Sequence, residues 1–473
     1  MYARRLRIAS NLWTLALAGI CLASCAAGSA TGTGVLALPE RLSPTSSSGS
    51  GYISHVVIIV QENRSFDNFF ATFPGADGAK EGRMHGGQIV QLKEHSITEP
   101  CDFGHSYKGF IRDLDHGKMN GFSLEGGSAN CPGKAGEAPY QYVKPSQLAP
   151  YWDMAEQYVL ADHMFQTQGS GSFTAHQDLI RGGTMIDSAQ TKSLVDYPSN
   201  SPWGCDAATG TVTSLLVAIG KAVKDEYDRG PFPCTNKFPS SGNYETLRDL
   251  LDAKSLSWSY YAPALKRGTA GGYWNAFDMI AAVRYGSEWT TNVKIPQTRI
   301  FADISQGNLS NVVWVVPDQI NSDHPASHSD TGPSWVASIV NAIGGSPYWD
   351  STAIIVVWDD WGGFYDHVVP PLRDKWGGLG FRVPMIIVSP YAREGQSTEG
   401  YISHTNYEFG SILKFVENIW ELGQLGTTDT RATSIIDSFD FTQKPRAFTP
   451  IPAKYSRDFF EHQPPSYKPV DTE

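Results

Sequence analysis

Two pairs of oxygen-bearing side chains, Glu62-Asn63 and Asp359-Asp360, are suited to hold a metal ion, and each pair directly follows a short apolar run. Adjacent carboxylates at the end of a buried strand repel each other unless a positive charge lies close to them. Carboxylate and amide oxygens suit calcium, magnesium or manganese, and zinc also accepts carboxylates. The pattern predicts one divalent metal ion of open identity, although for Glu62 alone an ion pair with Arg64 would be explanation enough.

A hydroxyl nucleophile is predicted at Ser172, within the segment GSGSFTAHQ. Small residues before Ser172 permit a tight turn that exposes a hydroxyl at the start of a helix, where free backbone N–H groups attract phosphate. Serine is also a common helix N-cap, and Thr174 offers a competing hydroxyl. Both alternatives stay open at this point.

Histidines supply the acid that such a reaction needs. An attack of serine on phosphorus requires a group that protonates the departing oxygen, and imidazole titrates in the useful range. His105 in FGHSY and His324 in SDHP lie near the acidic strand ends, which favours them as catalytic residues. His328, His367 and His404 are further candidates without an assigned role, because a single loop histidine more often makes a structural hydrogen bond.

Four apolar runs must position these residues: HVVIIV at 55–60, NVVWVV at 311–316, TAIIVVW at 352–358 and VPMIIV at 383–388. Such runs without polar alternation are typical of strands buried on both faces, as in parallel sheets covered by helices. Helical patterns between them favour a doubly wound α/β fold with a mostly parallel central sheet. Ligands bind outside the carboxyl ends of such strands, so the polar residues that follow the four runs are expected at one sheet edge.

The composition excludes some function classes. The chain has 473 residues and a formal net charge of −11, so it lacks the basic surface that nucleic-acid binding requires. An acidic surface also argues against electrostatic attraction to anionic lipid. With 41% hydrophobic residues, the chain can bury a large core.

The N-terminus has the layout of a secretory signal, with Arg4, Arg5 and Arg7 before an apolar stretch that is too short for an ordinary membrane span. Leu22-Ala23-Ser24-Cys25 resembles a lipobox, which favours a lipidated Cys25, and cleavage near Ala27 or Ala30 is the alternative. We therefore expect export from a bacterial cell, either to the periplasm or cell envelope as a lipoprotein or as a secreted protein. The predicted division is a signal at 1–25, a Gly/Ser/Thr-rich tether at 26–51, a catalytic domain at 52–440 and an irregular tail at 441–473.

Four cysteines remain after the signal, and an even number in an exported chain suggests two disulfides. The simplest of the three connectivities pairs Cys101 with Cys131 and Cys205 with Cys234. Residues 190–250 are expected to form an irregular insertion with a helix near 213–224.

The segments taken together resemble the bacterial phosphoesterase family that contains phospholipases C and acid phosphatase A, within the alkaline phosphatase-like superfamily. The matching stretches, in family order from residue 55 to 420, are VVIIVQENRSFDNFF, GHSY, GSFTAHQ, SDHP, SPYWDSTAIIVVWDDWGGFYDHVVPP, GFRVPMIIVSPYAR and YISHTNYEFGSILKFVENIW.

This resemblance implies a metal site made of Glu62, Asn63, Asp359 and Asp360, with the nucleophile Ser172 also at the metal. His105 and His324 match family histidines that contact phosphate or serve the leaving group. The implied reaction is hydrolysis of phosphate esters through a phosphoserine intermediate. Ser172-Phe173 and the following His176-Gln177 resemble the acid phosphatase branch, whereas the phospholipase C branch commonly has threonine.

Several functions stay open at this stage. A phospholipase C acting on membrane phospholipid or related phosphodiesters is the first interpretation, and an acid phosphatase acting on phosphomonoesters is the alternative. From another class, a surface-anchored binding lipoprotein without turnover would keep the same residues. A sulfatase would need a C/S-x-P-x-R context, which does not occur near Ser172. The oligomeric state is open.

Overall fold

The strands and helices below come from a computed structural model of the protein. It describes residues 49–98, 101–127, 133, 135–200, 202–219, 222–227, 229–238, 244–264, 274–371, 378–395 and 400–467. The predicted signal, lipobox and most of the tether lie outside these residues. Residues 46–473 group as one compact unit, and the predicted division into catalytic domain and tail stays a prediction.

The strands are β1 (His55–Gln61), β2 (Glu81–Arg83), β3 (Ile89–Gln91), β4 (Lys93–His95), β5 (Gln141–Val143), β6 (Val159–Ala161), β7 (Met164–Phe165), β8 (Lys192–Pro198), β9 (Thr213–Ile219), β10 (Ala222–Glu226), β11 (Trp258–Tyr261), β12 (Val293–Lys294), β13 (Val312–Val315), β14 (Thr352–Trp358), β15 (Met385–Val388), β16 (Tyr401–Ser403) and β17 (Tyr407–Glu408). The α-helices are α1 (Phe66–Phe70), α2 (Tyr107–Leu114), α3 (Ala149–Gln157), α4 (Ser172–Arg181), α5 (Leu247–Ala253), α6 (Ala281–Arg284), α7 (Glu288–Thr291), α8 (Arg299–Gln306), α9 (Gly332–Gly344), α10 (Phe409–Trp420) and α11 (Arg457–His462).

One eight-stranded sheet contains all four predicted apolar runs, in the order β12-β11-β13-β1-β14-β15-β6-β16. Its strand pairs are parallel except for those that β15 forms with β14 and β6. Neighbouring side chains on a strand point to opposite faces, and both Ile354 and Ile355 on β14 are fully buried. Both sheet faces are therefore covered, which confirms the predicted α/β fold.

Two groups of helices provide this cover. Helices α3, α8 and α11 pack against α9, whereas α5 and α10 pack against α4. Helix α4 carries the predicted nucleophile at its first residue, so the position of Ser172 depends on the packing of α4.

One part of the strand-edge prediction is wrong. Strand β15 is antiparallel to β14, so Ser389-Pro390, which follows it, leaves the opposite edge of the sheet. Asp318 follows the parallel strand β13, but its Oδ1 accepts the backbone N–H of Asn321 at 3.0 Å and caps a short turn. Strand direction cannot be read from apolar composition, because parallel and antiparallel buried strands have similar residues.

The insertion also differs from the prediction. Instead of a helix near 213–224, strands β9 and β10 form an antiparallel hairpin, in which Ala222 pairs with Ile219. Strand β9 contains Thr213 and Val217, whose branched side chains fit a strand better than a helix. The disulfide between Cys205 and Cys234 is present as predicted, whereas Cys131 lies outside the described residues. In the described part of the chain, every helix falls short of the length and apolar character needed to cross a bilayer.

Candidate active site

The carboxyl ends of β1 and β14 bring the two predicted ligand pairs together. The last residues of the two strands are partners in the sheet register, so Glu62-Asn63 and Asp359-Asp360 leave the sheet side by side. The backbone N–H of Asn63 donates to Oδ1 of Asp359 at 3.0 Å. All four side chains are fully buried. We call these four residues the strand-end cluster.

A glycine is required two residues after Asp360. Gly362 has a φ of +60°, and a Cβ at this position would lie 2.3 Å from the backbone oxygen of Asn63. Asn63 itself has a φ of +49°, a left-handed conformation that asparagine tolerates better than most residues. The two segments can therefore approach each other closely only with this local sequence.

The hydroxyl of Ser172 reaches the strand-end cluster. Its Oγ donates to Oδ2 of Asp360 at 3.1 Å and accepts from Nδ2 of Asn63 at 3.2 Å. Gly171 takes the N-cap position of α4, so Ser172 is not the cap that its residue type also suggests. Thr174 lies in the first turn of α4, where its Oγ1 donates to Oγ of Ser170, before the helix, at 2.7 Å. Of the two candidate hydroxyls, Ser172 faces the carboxylates.

His105 lies on the same side of the cluster as Ser172. Its Nδ1 donates to the backbone oxygen of Phe103 at 2.7 Å, which leaves Nε2 to accept from Nδ2 of Asn63 at 2.9 Å. The same Nε2 lies 3.8 Å from Oδ2 of Asp360. The imidazole is fully buried.

His324 approaches from the segment after β13. Its Nδ1 accepts the backbone N–H of Ala326 at 3.1 Å, so the proton of the neutral ring lies on Nε2. The ring centroids of His324 and His105 are 6.3 Å apart. The two predicted histidines therefore lie close together, with opposite tautomers fixed by the backbone.

His176 also belongs to this site, although it was not among the predicted site residues. It lies one helical turn after Ser172 on α4, so both side chains project from the same helix face. Its Nε2 is 2.9 Å from Oε1 of Glu62 and 3.8 Å from Oδ2 of Asp359. Burial lowers the pKa of His176 to about 4 and keeps the imidazole neutral. The four-residue spacing from Ser172 is the sequence signal that could have identified it.

The carboxylates of this site lack a basic partner of the lysine or arginine type among the described residues. Burial, followed by the charge of Asp359, raises the pKa of Glu62 well above its usual range, and burial also raises the pKa of Asp360. Oε2 of Glu62, Oδ1 of Asn63 and Oδ2 of Asp359 are buried without a hydrogen-bond partner in the described part of the chain. Unpartnered buried oxygens are costly, and a divalent cation would satisfy them. The donor set therefore fits the predicted metal ion.

Tryptophans enclose the site. The indole of Trp274 lies nearly parallel to the ring of His176, with centroids 6.4 Å apart, and 6.1 Å from the ring of His324. Trp203 contacts His176 edge-on at 6.5 Å and precedes the disulfide-bonded Cys205. Residues 190–300, which were expected to shape the substrate pocket although they match no family motif, thus supply a wall of the site.

A second buried acidic cluster lies a few residues further along the same two segments. Nε of Arg382 is 2.9 Å from Oδ1 of Asp366, and its Nη2 is 3.3 Å from Oδ1 of Asp67. Nδ1 of His367 lies 2.7 Å from Oδ2 of Asp67. These four residues, the arginine cluster, contain their own cation.

The other histidines without an assigned role lie away from the strand-end cluster. Nδ1 of His404 is 2.8 Å from Oδ2 of Asp162. His328 is exposed and has a left-handed φ of +51° at the end of a short turn. Neither contacts Ser172 or the strand-end cluster in the described structure.

Comparisons with known proteins agree with this arrangement of motifs. A model of the Phosphoesterase family matches residues 53–423. Phospholipase C B of Mycobacterium tuberculosis is 25% identical over 84% of this chain and 80% of that protein. Non-specific phospholipase C3 of Arabidopsis thaliana is 23% identical over 87% of this chain and 78% of that protein.

Among solved structures, the chain is similar to a protein in the alkaline phosphatase superfamily from Vibrio parahaemolyticus. That similarity has a TM-score of 0.36 and 11% sequence identity, and it covers 81% of this chain and 71% of the other.

Proposed function

The chain belongs to the phosphoesterase family and is a hydrolase of phosphoric ester bonds, and we propose that it is an exported, metal-dependent phospholipase C-like enzyme with Ser172 as its nucleophile. The observation that carries this proposal is the position of the Ser172 hydroxyl between Asn63 and Asp360. The relatives named phospholipase C support a phosphodiester substrate, such as a membrane phospholipid.

In the first step, the Ser172 hydroxyl attacks phosphorus. Because its O–H donates to Oδ2 of Asp360, that carboxylate receives the proton while the bond from Oγ to phosphorus forms and the bond to the leaving oxygen breaks. The first turn of α4 directs backbone N–H groups toward the phosphoryl oxygens. A divalent cation held by the strand-end cluster would supply positive charge beside the hydroxyl and the phosphoryl group.

The two histidines divide the remaining proton chemistry. His105 acts in its protonated form and supplies the Nε2 proton to the leaving oxygen, since Nε2 faces the cluster and Nδ1–H stays donated to Phe103. His324 cannot gain a second proton without losing its bond from the Ala326 N–H. It therefore acts as a neutral donor that stabilises charge on the phosphoryl oxygens through Nε2–H.

In the second step, water attacks the phosphoserine. Nε2 of His105, which gave up its proton in the first step, takes one proton from the water as the new bond joins the water oxygen to phosphorus. The bond from Oγ of Ser172 to phosphorus breaks, and Asp360 returns its proton to Oγ. A phosphodiester substrate thus yields an alcohol in the first step and a phosphomonoester in the second.

The test compares initial rates on p-nitrophenyl phosphocholine and p-nitrophenyl phosphate, before and after chelation and with metal added back. We expect preference for the phosphocholine diester, loss of activity on chelation and recovery with metal. Preference for the monoester would instead establish the acid phosphatase alternative. A folded, metal-loaded protein that acts on neither substrate would favour a binding lipoprotein without turnover.

Export and lipidation at Cys25 complete the proposal. Anchoring at the cell envelope would keep the enzyme beside phospholipid, its proposed substrate. Mass spectrometry of the mature N-terminus after expression in a bacterial host tests this point. A diacylated Cys25 is expected, whereas an unmodified N-terminus near residue 28 or 31 would contradict lipidation.

A further inference from the structure

We infer that His176 is itself a ligand of the metal ion, so that the ion is a transition metal of the zinc class and not calcium or magnesium. The inference rests on the proposed metal-dependent function. It adds an imidazole nitrogen to the four oxygen-bearing side chains that the sequence predicts as ligands.

The first support is the spacing of the candidate ligand atoms. Atoms bound to one zinc ion at about 2.0–2.2 Å lie roughly 3–4 Å from one another. Nε2 of His176 is 2.9 Å from Oε1 of Glu62 and 3.8 Å from Oδ2 of Asp359. One ligand atom from each of the three residues lies within 4.8 Å of the other two. The three side chains are therefore already spaced for a common ion.

The second support is the state of the carboxylate atoms. Oδ2 of Asp359, the atom nearest to His176 on that residue, is buried without a hydrogen-bond partner in the described structure. A hydrogen bond from His176 to Glu62 alone would leave this oxygen unsatisfied. A shared ion satisfies Glu62, Asp359 and His176 together.

The third support is the way in which the imidazole is held. The ring is 1% exposed and lies between Trp274, nearly parallel at 6.4 Å, and the edge of Trp203 at 6.5 Å. Helix α4 fixes its backbone in register with Ser172. A ring fixed in this way keeps Nε2 directed at the two carboxylates, as a metal ligand must be.

An imidazole ligand decides between the metals that the oxygen atoms leave open. Calcium and magnesium are hard cations that take oxygen ligands, whereas imidazole suits zinc, iron and copper. A site with one imidazole and several carboxylate oxygens therefore favours zinc over calcium. The alternative is that His176 stays outside the coordination shell and only orients Glu62 through a hydrogen bond.

Metal affinity alone does not separate these two roles, because loss of an orienting partner also lowers affinity by about 10–100-fold. X-ray absorption at the zinc edge does separate them, since a coordinated imidazole ring adds its own multiple-scattering signal. The experiment loads metal-free full-length protein with one equivalent of zinc and compares wild type with His176→Gln. His163→Gln is the matched control, because His163 is partly buried and pairs with Asp77 outside the site.

We expect an imidazole signal in wild type and in His163→Gln, and its loss in His176→Gln. Calorimetric titration should show zinc affinity reduced at least about tenfold in His176→Gln, with calcium affinity little changed. If His176→Gln fails to fold by circular dichroism, His176→Asn replaces it.

Two results would overturn the inference: a wild-type zinc site with oxygen ligands alone, or an imidazole signal that persists in the His176 variant. Either result with metal-dependent hydrolysis intact would leave the proposed function standing. Hydrolysis that continues unchanged after complete metal removal would contradict the proposed function as well.

Discussion

The strand-end cluster and the arginine cluster are both buried groups of carboxylates, and both are built from the segments that follow β1 and β14. In the arginine cluster, the guanidinium of Arg382 contacts Asp366 and Asp67. In the strand-end cluster, histidines are the only basic side chains that approach the carboxylates among the described residues. The chain supplies the cation of the arginine cluster, whereas the cation of the strand-end cluster is the proposed metal ion.

This difference suits the arginine cluster to stabilising the fold and the strand-end cluster to the proposed chemistry. Buried charges need a compensating charge and hydrogen bonds, and an internal arginine supplies both permanently. A cluster that is complete in this way has no capacity left to bind a phosphoryl group. The strand-end cluster retains unpartnered buried oxygens beside Ser172 among the described residues, which is the arrangement that the proposed metal ion and nucleophile require.

The largest expected effect comes from Ser172→Ala, which acts on the strand-end cluster alone. Because the proposed nucleophile is lost, kcat should fall by about 1,000-fold or more, with an unchanged thermal midpoint. Thr174→Val is the control, since the Thr174 hydroxyl bonds to Ser170 and not to the strand-end cluster, and it should retain activity. Full activity of Ser172→Ala would move the nucleophile to Thr174.

Arg382→Met tests whether the arginine cluster stabilises the fold. Removing the cation leaves buried carboxylates uncompensated, which should cost about 3–5 kcal/mol in the free energy of unfolding. Denaturant titration of the metal-free protein measures this loss. Arg457→Met is the control, because the ion pair of Arg457 with Glu461 is partly exposed and contributes no more than about 1 kcal/mol. Equal losses in the two variants would mean that the arginine cluster does not stabilise the fold.

His324 variants sharpen the assignment of roles at the strand-end cluster. If Nε2–H acts as a neutral donor, His324→Gln can replace it with an amide N–H and should keep kcat within about tenfold of wild type, whereas His324→Ala should lose about 100-fold or more. The pH profile of kcat for His324→Gln should match that of wild type. Equal losses in both variants, with one limb of the profile missing, would instead make His324 the general acid.

The pH dependence of stability reports on the arginine cluster. Burial would lower the pKa of His367, but the hydrogen bond and charge of Asp67, together with Asp366, raise it from 6.5 to about 9. The stabilising contribution is therefore fully present below pH 6.5 and is lost as pH rises through about 9. Its size is at most about 3 kcal/mol.

Unfolding free energies measured between pH 6 and 10 test this expectation. His367→Gln should flatten the decline, whereas His85→Gln, at an exposed histidine outside both clusters, should not. An unchanged slope in His367→Gln would mean that the protonated ring does not stabilise the arginine cluster.

Much of the architecture was predictable because its signals are local. Runs such as TAIIVVW predict buried strands from composition alone, and the match of the family model over residues 53–423 confirms the resemblance found in the motifs. The hairpin at β9 and β10 was missed because a short apolar segment fits either a helix or a strand. The predicted position of Ser389 at the same sheet edge was wrong because the direction of β15 depends on its partner strands.

The sequence by itself determined the α/β class, the acidic pairs at the strand ends and the serine and histidines that lie beside them. Only the tertiary structure decided that Ser172 and not Thr174 faces Asp360, that His176 joins Glu62, and that Arg382 completes the second cluster. The physical reason is the separation along the sequence between the residues that interact. Strand formation follows from neighbouring residues, whereas these contacts join residues up to 315 positions apart and depend on how helices pack on the sheet.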